Sequence, residues 1–341
     1  TAQHREMLDQ VLEFFSLKGD YDLDIMKKNQ NLEAITTKIL MGLSKILKEF
    51  KPDLIFVHGD TTTCFSSSLA AFYQGIKVCH IEAGLRTNNI NSPFPEELNR
   101  NLVSKIAFLN FAPTERNKQS LLKENINEEK IFVTGNTVID SLLWTVENNI
   151  CFSTSVSKHI QNCIELKYKI ILITAHRREN IGNGLNQICD SVLKILSKID
   201  DVIFIFSVHP NPKVKNTIFK KLDKQKRVIL SEPLAYPDFV LLIKKSWLIL
   251  TDSGGLQEEA PSLGVPVLVL REETERKEAI STGAVELIGT SPEKIAKKVE
   301  YLYFNSDFYY SMANAINPYG DGTSVNRILK IIADKHSEII E

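Results

Sequence analysis

The chain has 341 residues, of which 43% are hydrophobic and 24% charged, and its formal net charge is −1. This is the composition of a globular protein long enough for two domains. The balanced charge excludes the basic excess of a nucleic-acid-binding protein. No apolar run reaches the roughly 20 residues that cross a bilayer, and no signal peptide is visible, so we expect a cytoplasmic protein with no membrane partner.

The cysteines indicate free thiols rather than disulfides or zinc ligands. Their number is odd, none forms a CxxC pair, and three lie in apolar or helical patterns. We therefore expect buried thiols in a reducing compartment. The five are Cys64, Cys79, Cys151, Cys163 and Cys189.

The first half of the chain alternates helical and strand patterns. Helical spacing covers 7–16 and 32–50, a buried strand covers 54–57, a helix capped by 61–63 runs to about 74, and a second strand covers 77–81. Strand, helix and strand form a right-handed crossover in a parallel sheet, and ligands bind at the carboxyl ends of such strands. Asp60 follows the first strand and Glu82 the second, so both are expected at that edge.

A third acidic group enters with the next helix. A polar loop at 87–92 leads to a helix that opens with Pro93-Phe-Pro-Glu-Glu97, which places Glu96 and Glu97 in its first turn. Carboxylates exchange protons near neutral pH when burial or like-charge crowding raises their pKa. Each acid alone is also explained as a helix cap or a solvated loop charge. The convergence of Asp60, Glu82 and Glu96 on one sheet edge favours acid–base chemistry.

The second half begins a new series after a polar linker with a weak helix at 149–167. Further strands are predicted at 108–112, 131–134, 169–174, 202–208, 228–230, 247–251 and 265–270, and further helices at 138–148, 185–197, 235–245, 292–304 and 324–332. The pattern predicts an α/β protein with two doubly wound Rossmann-like domains and a ligand cleft between them. We assign 1–148 with 323–341 to the first domain and 149–322 to the second.

The clearest ligand motif is the glycine turn Ser253-Gly-Gly255. It follows the strand at 247–251 and precedes a helix predicted at 256–263. Glycines allow close backbone approach, and free amide groups at a helix start bind phosphate. Glu258 and Glu259 are expected in the first helical turn, where a carboxylate suits the dipole or holds ribose hydroxyls. The alternative is an ordinary strand-to-helix turn.

Histidines and arginines supply further candidates. His209 ends a strand and is either an acid, a phosphate contact or a structural residue. His58 and His80 end strands and are equally compatible with the core. Two guanidinium groups in His176-Arg-Arg-Glu179 suit anion binding or pair with the acid of the same loop.

Arg276 could reach the same diphosphate from the loop after the last predicted strand. No P-loop, no Gly-x-Gly-x-x-Gly fingerprint and no metal-ligand spacing is present, so we expect neither a nicotinamide or flavin cofactor nor a metal.

Taken together, the motifs resemble the non-hydrolysing bacterial UDP-N-acetylglucosamine 2-epimerases over essentially the whole chain. The matching segments are Thr1-Ala-Gln-His-Arg5, Val57-His-Gly-Asp-Thr-Thr62, His80-Ile-Glu-Ala-Gly-Leu-Arg-Thr87, Ser92-Pro-Phe-Pro-Glu-Glu97, Gly135-Asn-Thr-Val-Ile-Asp140, His176-Arg-Arg-Glu-Asn180, Val208-His209, Asp252-Ser-Gly-Gly-Leu-Gln-Glu-Glu-Ala-Pro261, Thr274-Glu-Arg276 and Asn317-Pro-Tyr-Gly-Asp-Gly322. So many motifs in one order are more specific than any single one.

The resemblance implies a GT-B fold, a homodimer, and UDP-N-acetylglucosamine as substrate with no metal or cofactor. It implies C2 epimerisation by loss and re-addition of UDP through a 2-acetamidoglucal. The implied catalytic residues are Asp60, Glu82, Glu96 and His209. The implied UDP-binding residues are Phe239, Ser253, Gly254, Gly255, Glu259 and Arg276.

Two departures from the family pattern concern the amino terminus. The family starts with a strand and a Gly-Thr-Arg-Pro-Glu loop that precede residue 1 here, so we expect a longer native chain. Some members bind an activating UDP-N-acetylglucosamine beside the Gln-His-Arg segment, where their Gln is replaced by Glu6. Gln3, His4 and Arg178 are the candidate contacts for this activator or for the substrate.

Two other functions remain open from the residues. One is a hydrolysing relative that releases N-acetylmannosamine and UDP. The other is a GT-B transferase or UDP-sugar-binding protein, which would need at most one base and leaves three converging carboxylates unexplained.

Overall fold

The structure is a computed structural model that describes residues 1, 5–27, 30–148 and 155–340. The chain divides into two compact units. Unit 1 comprises Thr1–Asp140 and Tyr319–Glu341, and unit 2 comprises Ser141–Pro318. Each unit contains one parallel β-sheet with helices, so the expected α/β architecture with two parallel-sheet domains is confirmed.

The elements follow one another in this order. They are α1 (Arg5–Phe14), α2 (Leu32–Phe50), β1 (Leu54–His58), α3 (Thr62–Phe72), β2 (Lys77–Ile81), α4 (Glu96–Ile106), β3 (Leu109–Ala112), α5 (Glu115–Lys123), β4 (Ile131–Val133), α6 (Thr137–Glu147), α7 (Ser155–Glu165), β5 (Lys169–Thr174), α8 (Asn183–Leu196), β6 (Val202–Ser207), α9 (Pro212–Leu222), β7 (Val228–Ser231), α10 (Tyr236–Lys245), β8 (Leu248–Thr251), α11 (Gly254–Ser262), β9 (Val267–Val269), α12 (Lys277–Ser281), β10 (Val285–Leu287), α13 (Pro292–Phe304), α14 (Ser306–Ala313), α15 (Ser324–Asp334) and α16 (His336–Ile340).

The sheet of unit 1 has the order β1-β2-β3-β4, and all pairs are parallel. Small side chains on α3 permit close packing, so Ala70 and Ala71 are completely buried against the neighbouring elements. The register pairs His58 with Ile81. The residues that follow β1 and β2 therefore leave the sheet side by side at its carboxyl edge.

The sheet of unit 2 has the order β10-β9-β8-β5-β6-β7, again with every pair parallel. From β5 the chain first extends the sheet through β6 and β7, then returns to add β8 on the other side. The carboxyl ends of β5 and β8 thus form a topological switch point, the usual ligand position in such sheets. At their ends the hydroxyl oxygens of Thr174 and Thr251 lie 2.6 Å apart in a hydrogen bond.

Several expectations need correction. The glycine-turn helix begins at Gly254 rather than at 256, and the preceding strand begins at Leu248 rather than at 247. The patterns missed α5, α9, α12, α14, α16 and β10. The strand β10 has only three residues, and α5 is rich in polar residues, so neither gives a strong apolar period. The helix α9 does carry a helical apolar period at Val214, Ile218 and Leu222, which the prediction overlooked.

The cysteine prediction is confirmed for the four thiols that the structure describes. Cys64, Cys79, Cys163 and Cys189 are free and buried, whereas Cys151 lies outside the described residues. None of the helices in the described part of the chain has the length and apolar character needed to cross a bilayer.

Candidate active site

The three candidate carboxylates of unit 1 lie close enough to affect one another. Asp60 follows β1, Glu82 follows the adjacent β2, and Glu96 starts α4. Burial raises the pKa of Asp60; the positive charge of Arg100 opposes that shift, and the charges of Glu82 and Glu96 add to it. A carboxyl group with a raised pKa beside two other carboxylates is a typical proton-transfer arrangement.

Arg100 pairs both with Asp60 of this cluster and with the buried carboxylate of Glu97. Its Nη2 atom lies 2.5 Å from Asp60 Oδ2, and its Nη1 atom lies 3.1 Å from Glu97 Oε2. The Glu97 carboxylate is 1% exposed and also accepts the N–H groups of Thr87 and Asn88 at 3.0–3.1 Å. Glu97 therefore fixes the loop before α4, while Glu96 remains at the cluster. Sequence reasoning missed Arg100, although its i, i+3 spacing from Glu97 is the signal of such a pair.

Glu82 is held in an unusual backbone conformation. Its φ is +64°, in the left-handed region that non-glycine residues rarely adopt. Its Oε2 atom lies 3.1 Å from His58 Nε2, and a Cβ atom on Gly59 would come within 3.3 Å of it. Strained backbone that aims a charged side chain is typical of functional sites.

The two strand-end histidines of unit 1 separate into an edge residue and a core residue. His58 is exposed beside Glu82. His80 is fully buried in β2, and its Nε2 donates to the Gly59 carbonyl oxygen at 2.8 Å. Burial lowers the pKa of His80 to about 4, so its ring is neutral and supports the turn that carries Asp60.

The glycine turn of unit 2 leads directly into a helix. Ser253 is the N-cap residue of α11, and its side chain makes no capping hydrogen bond. The amide groups of the first turn, which begins at Gly254, have no acceptor within the helix. Glu258 and Glu259 lie in the second turn, because the helix starts at the glycines themselves, so their predicted first-turn position is wrong.

Arg276 packs against the start of this helix. A Cβ atom on Gly254 would lie 2.7 Å from Arg276 Cζ, so only glycine fits there without displacing the guanidinium. Arg276 Nε donates to Glu258 Oε1 at 2.8 Å, and Nη1 pairs with Glu275. The structure thus brings Arg276 and Gly254 together, with the arginine charge balanced by two carboxylates.

The second turn of α11 also carries a carboxyl group whose pKa is raised. Burial raises the pKa of Glu259 to about 7, and the charge of Glu258 adds to the shift. Tyr236 lies nearby; burial and then Glu259 raise its pKa to about 12. Tyr236 and the partly buried Phe239 share the first turn of α10. Sequence reasoning missed Tyr236, because no local pattern indicates that the charge of Glu259 acts on its hydroxyl group.

At the switch point, Asp252 ties the ends of β5 and β8 together. It is completely buried, and its carboxylate accepts the N–H groups of His176 and Arg177 and the side-chain amide of Asn180 at 2.9–3.1 Å. The ring of His176 stacks on the ring of His209, with centroids 5.7 Å apart and planes at 16°. His209 Nδ1 accepts the Asn211 N–H at 3.1 Å.

The arginine-rich loop after β5 pairs with a different segment from the one expected. Glu179 binds Arg271 at 2.8 Å, and Arg177 lies 3.8 Å from Glu275. Arg177 and Glu179 therefore pair with residues outside the loop rather than with each other. Gln3, His4 and the side chain of Arg178 lie outside the described residues. Within the described part of the chain, no group of three or more His, Cys, Asp or Glu residues could hold a metal ion.

Comparisons with known proteins agree on one family. The profile described as UDP-N-acetylglucosamine 2-epimerase matches residues 1–333. The UDP-N-acetylglucosamine 2-epimerase of Escherichia coli K12 is 50% identical over 334 residues, which cover 97% of this chain and 89% of that protein. The corresponding protein of Campylobacter jejuni is 46% identical over 346 residues, covering 100% and 90% of the two chains. The crystal structure of the Neisseria meningitidis UDP-GlcNAc 2-epimerase bound to UDP-GlcNAc matches with a TM-score of 0.88 at 49% identity, covering 97% and 90%.

Proposed function

Because the chain belongs to the UDP-N-acetylglucosamine 2-epimerase family, we propose that it epimerises UDP-N-acetylglucosamine at C2 to UDP-N-acetylmannosamine. The proposed path is reversible elimination. The C1–O bond breaks with its electron pair going to UDP, and the C2 proton goes to a carboxylate, leaving 2-acetamidoglucal. UDP then adds back to C1 while a carboxyl group delivers a proton to the opposite face of C2.

The carboxylates of unit 1 suit the proton transfers. The C2 proton is not adjacent to a carbonyl, so it becomes acidic only as C1 gains oxocarbenium character. Opposite faces of C2 then require one ionised and one protonated carboxyl group. Asp60 has the raised pKa expected of a group that carries a proton, and Glu82 and Glu96 are its charged neighbours. We propose that these three residues exchange the proton.

The glycine turn of unit 2 suits the leaving UDP. Ser253, Gly254 and Gly255 would hold the diphosphate at the start of α11, where amide groups and the helix dipole favour negative charge. Glu259 would accept the ribose hydroxyls, and Phe239 would border the uracil. Arg276 is neutralised by Glu258 and Glu275. We therefore assign it to shaping the helix start and donating its remaining N–H groups, with the helix amides as the main source of charge stabilisation.

His209 is better suited to donating a hydrogen bond than to acting as an acid. Its Nδ1 atom accepts the Asn211 N–H, so the neutral ring carries its proton on Nε2. Protonating Nδ1 to make an imidazolium would remove that acceptor. We therefore propose that neutral His209 donates from Nε2 to a phosphoryl oxygen as UDP departs, a role that stabilises developing negative charge.

The observation that carries the proposal is the convergence of Asp60, Glu82 and Glu96 at one sheet edge. The test is incubation with UDP-N-acetylglucosamine in heavy water, followed by NMR. We expect deuterium at C2 in both epimers, with the sugar still bound to UDP. Free N-acetylmannosamine and UDP as main products would support the hydrolysing alternative, and absence of C2 exchange would refute both.

Amide variants test the residue assignments. Asp60→Asn, Glu82→Gln and Glu96→Gln should each abolish turnover while UDP binding, measured by calorimetry, is retained. Glu129→Gln is the matched control, because this exposed acid lies in a 3-10 helix away from the cluster. Full activity in all three amide variants would refute the assignment. We also propose a homodimer, which analytical ultracentrifugation tests.

A further inference from the structure

Gln257 is a fully buried polar residue one helical turn after the glycine turn, and the function proposed above gives it no role. It is 0% exposed and lies in α11, the helix whose start is assigned to the diphosphate. Burying a carboxamide costs free energy unless its two ends find hydrogen-bond partners. The partners of Gln257 therefore show which parts of the unit this side chain connects.

Both ends of the Gln257 carboxamide are paired. Its Nε2 donates to the carbonyl oxygen of Ser253 at 3.0 Å, and its Oε1 accepts the hydroxyl group of Thr274 at 2.7 Å. A carbonyl oxygen only accepts hydrogen bonds, so the amide nitrogen of Gln257 must face Ser253. The carboxamide thus bridges the N-cap residue of α11 and the loop that follows β9.

Thr274 extends this bridge to Arg276. Its Oγ1 atom accepts the Arg276 N–H at 3.1 Å while it donates to Gln257, and the residue is 4% exposed. The guanidinium of Arg276 in turn packs on the glycine turn, because a Cβ atom on Gly254 would lie 2.7 Å from its Cζ. The contacts therefore close into a ring that consists of Ser253, Gln257, Thr274, Arg276 and Gly254.

The main chain of Ser253 is fixed on its other side as well. Its N–H donates to Thr251 Oγ1 at 2.9 Å, and that oxygen lies 2.6 Å from Thr174 Oγ1 at the switch point. Buried side chains thus hold both the N–H and the carbonyl group of Ser253. Buried polar pairs add little stability compared with apolar residues of the same shape, but a fully paired network makes its members rigid. The ring is therefore suited to fixing the separation of the groups that it joins.

We propose that Gln257 is a positioning residue that fixes the Arg276 guanidinium relative to the amide groups at the start of α11, so that both meet the same diphosphate. This inference rests on the proposed function, because it concerns the support of the same phosphate site. Gln257 is buried and acts through Ser253 and Arg276 rather than by touching the ligand. Without the bridge, the loop that carries Arg276 loses one of its ties to α11.

A double apolar variant separates positioning from stability. Gln257→Met combined with Thr274→Val removes the bridge, keeps the side-chain volumes similar and leaves neither side chain with an unpaired polar group, so the thermal midpoint should stay close to that of the wild type. The affinity for UDP, measured by calorimetry, should fall about 10- to 100-fold, the range expected when a supporting residue misplaces a binding group. Uridine lacks the diphosphate, so its affinity, measured by NMR titration, should not change.

Unit 2 offers a matched control with the same chemistry. The hydroxyl group of Thr290 donates to Gln187 Oε1 at 2.7 Å, which joins α8 to the segment after β10. Gln187→Met combined with Thr290→Val should leave the affinities for UDP and uridine unchanged. Thr274→Ser keeps the bridging hydroxyl group and should retain the wild-type affinity for UDP. Thr274→Val alone replaces the double variant if that variant does not fold.

The outcomes are distinguishable. Equal losses of affinity for UDP and uridine, or an unchanged affinity for UDP, would overturn the positioning role. Binding of UDP by the wild type without exchange at C2 would refute the epimerisation alone, and the comparison of UDP with uridine would still decide the role of Gln257. Absence of UDP binding in the wild type would overturn both proposals.

Discussion

Acidification should weaken the fold of unit 1 through His80. This residue is fully buried in β2, and its Nε2 donates to the carbonyl oxygen of Gly59, just before Asp60. Burial lowers its pKa from 6.5 to about 4. In the unfolded chain the ring takes up a proton below about pH 6.5, whereas the folded ring stays neutral until about pH 4. The unfolded state therefore binds more protons in this window, and stability falls as the pH is lowered through it.

The size of the effect follows from the two pKa values. Each pKa unit corresponds to about 1.4 kcal/mol, so the complete effect is about 3 kcal/mol. The contribution is fully present above the unfolded pKa and is almost intact at pH 7. By pH 5, about 2 kcal/mol of it is lost. The variant His80→Gln keeps an N–H donor for Gly59 and has no titrating ring, so it serves as the matched control.

Native-state hydrogen exchange of peptides that cover β2 is the suitable assay, because it reports the opening free energy of this strand separately from unit 2. Wild type and His80→Gln are compared at pH 7, 6 and 5. We expect the wild type to lose about 2 kcal/mol more than the variant between pH 7 and 5. A difference between the two proteins that stays constant over this range would refute the assignment of a neutral, buried His80.

Three further predictions concern the two sites. Arg100→Met leaves the buried Glu97 carboxylate without its guanidinium partner, so the free energy of unfolding of unit 1, measured in urea, should fall by about 3–5 kcal/mol. An unchanged free energy of unfolding would contradict the buried pair. Gly254→Ala should lower the thermal midpoint, because the new Cβ would lie 2.7 Å from Arg276 Cζ. Gly255→Ala, whose new Cβ would have its nearest atom at 4.0 Å, is the control for this packing effect, and equal midpoints in the two variants would argue against the close packing. UDP affinity should fall about tenfold as the pH drops from 8 to 6, because Glu259 has a pKa of about 7 and must be ionised to accept the ribose hydroxyl groups. Calorimetry measures this affinity, and the Glu259→Gln variant should not show the pH dependence.

Local patterns determined the parts of this protein that depend on neighbours in the chain. Apolar runs at β2, β5, β6 and β8 predicted buried parallel strands, because such strands are covered on both faces. The run at β1 also predicted a buried strand, but this was wrong: β1 is at the end of its sheet, only Val57 is buried and Phe56 is exposed. Acidic residues directly after two successive strands had to meet at one edge, since parallel strands share their carboxyl ends. The structure bears this out at Asp60 and Glu82. The glycine turn likewise indicated a helix start, because Gly254 and Gly255 permit close approach.

Tertiary structure decided what depends on distant residues. In the folded protein Glu97 is buried and pairs with Arg100, whereas the adjacent Glu96 lies at the carboxylate cluster. The sequence alone does not distinguish these two neighbouring glutamates. Tertiary structure also joined Asp252 to the loop at His176 and stacked His176 on His209, across separations of 76 and 33 residues. Such pairings arise from the order of strands in the sheet. The spacing of hydrophobic residues and the residues that form turns act over only a few positions of the chain. They therefore determine where each strand lies in the sequence, whereas the packing of the whole unit determines which strands become neighbours in the sheet.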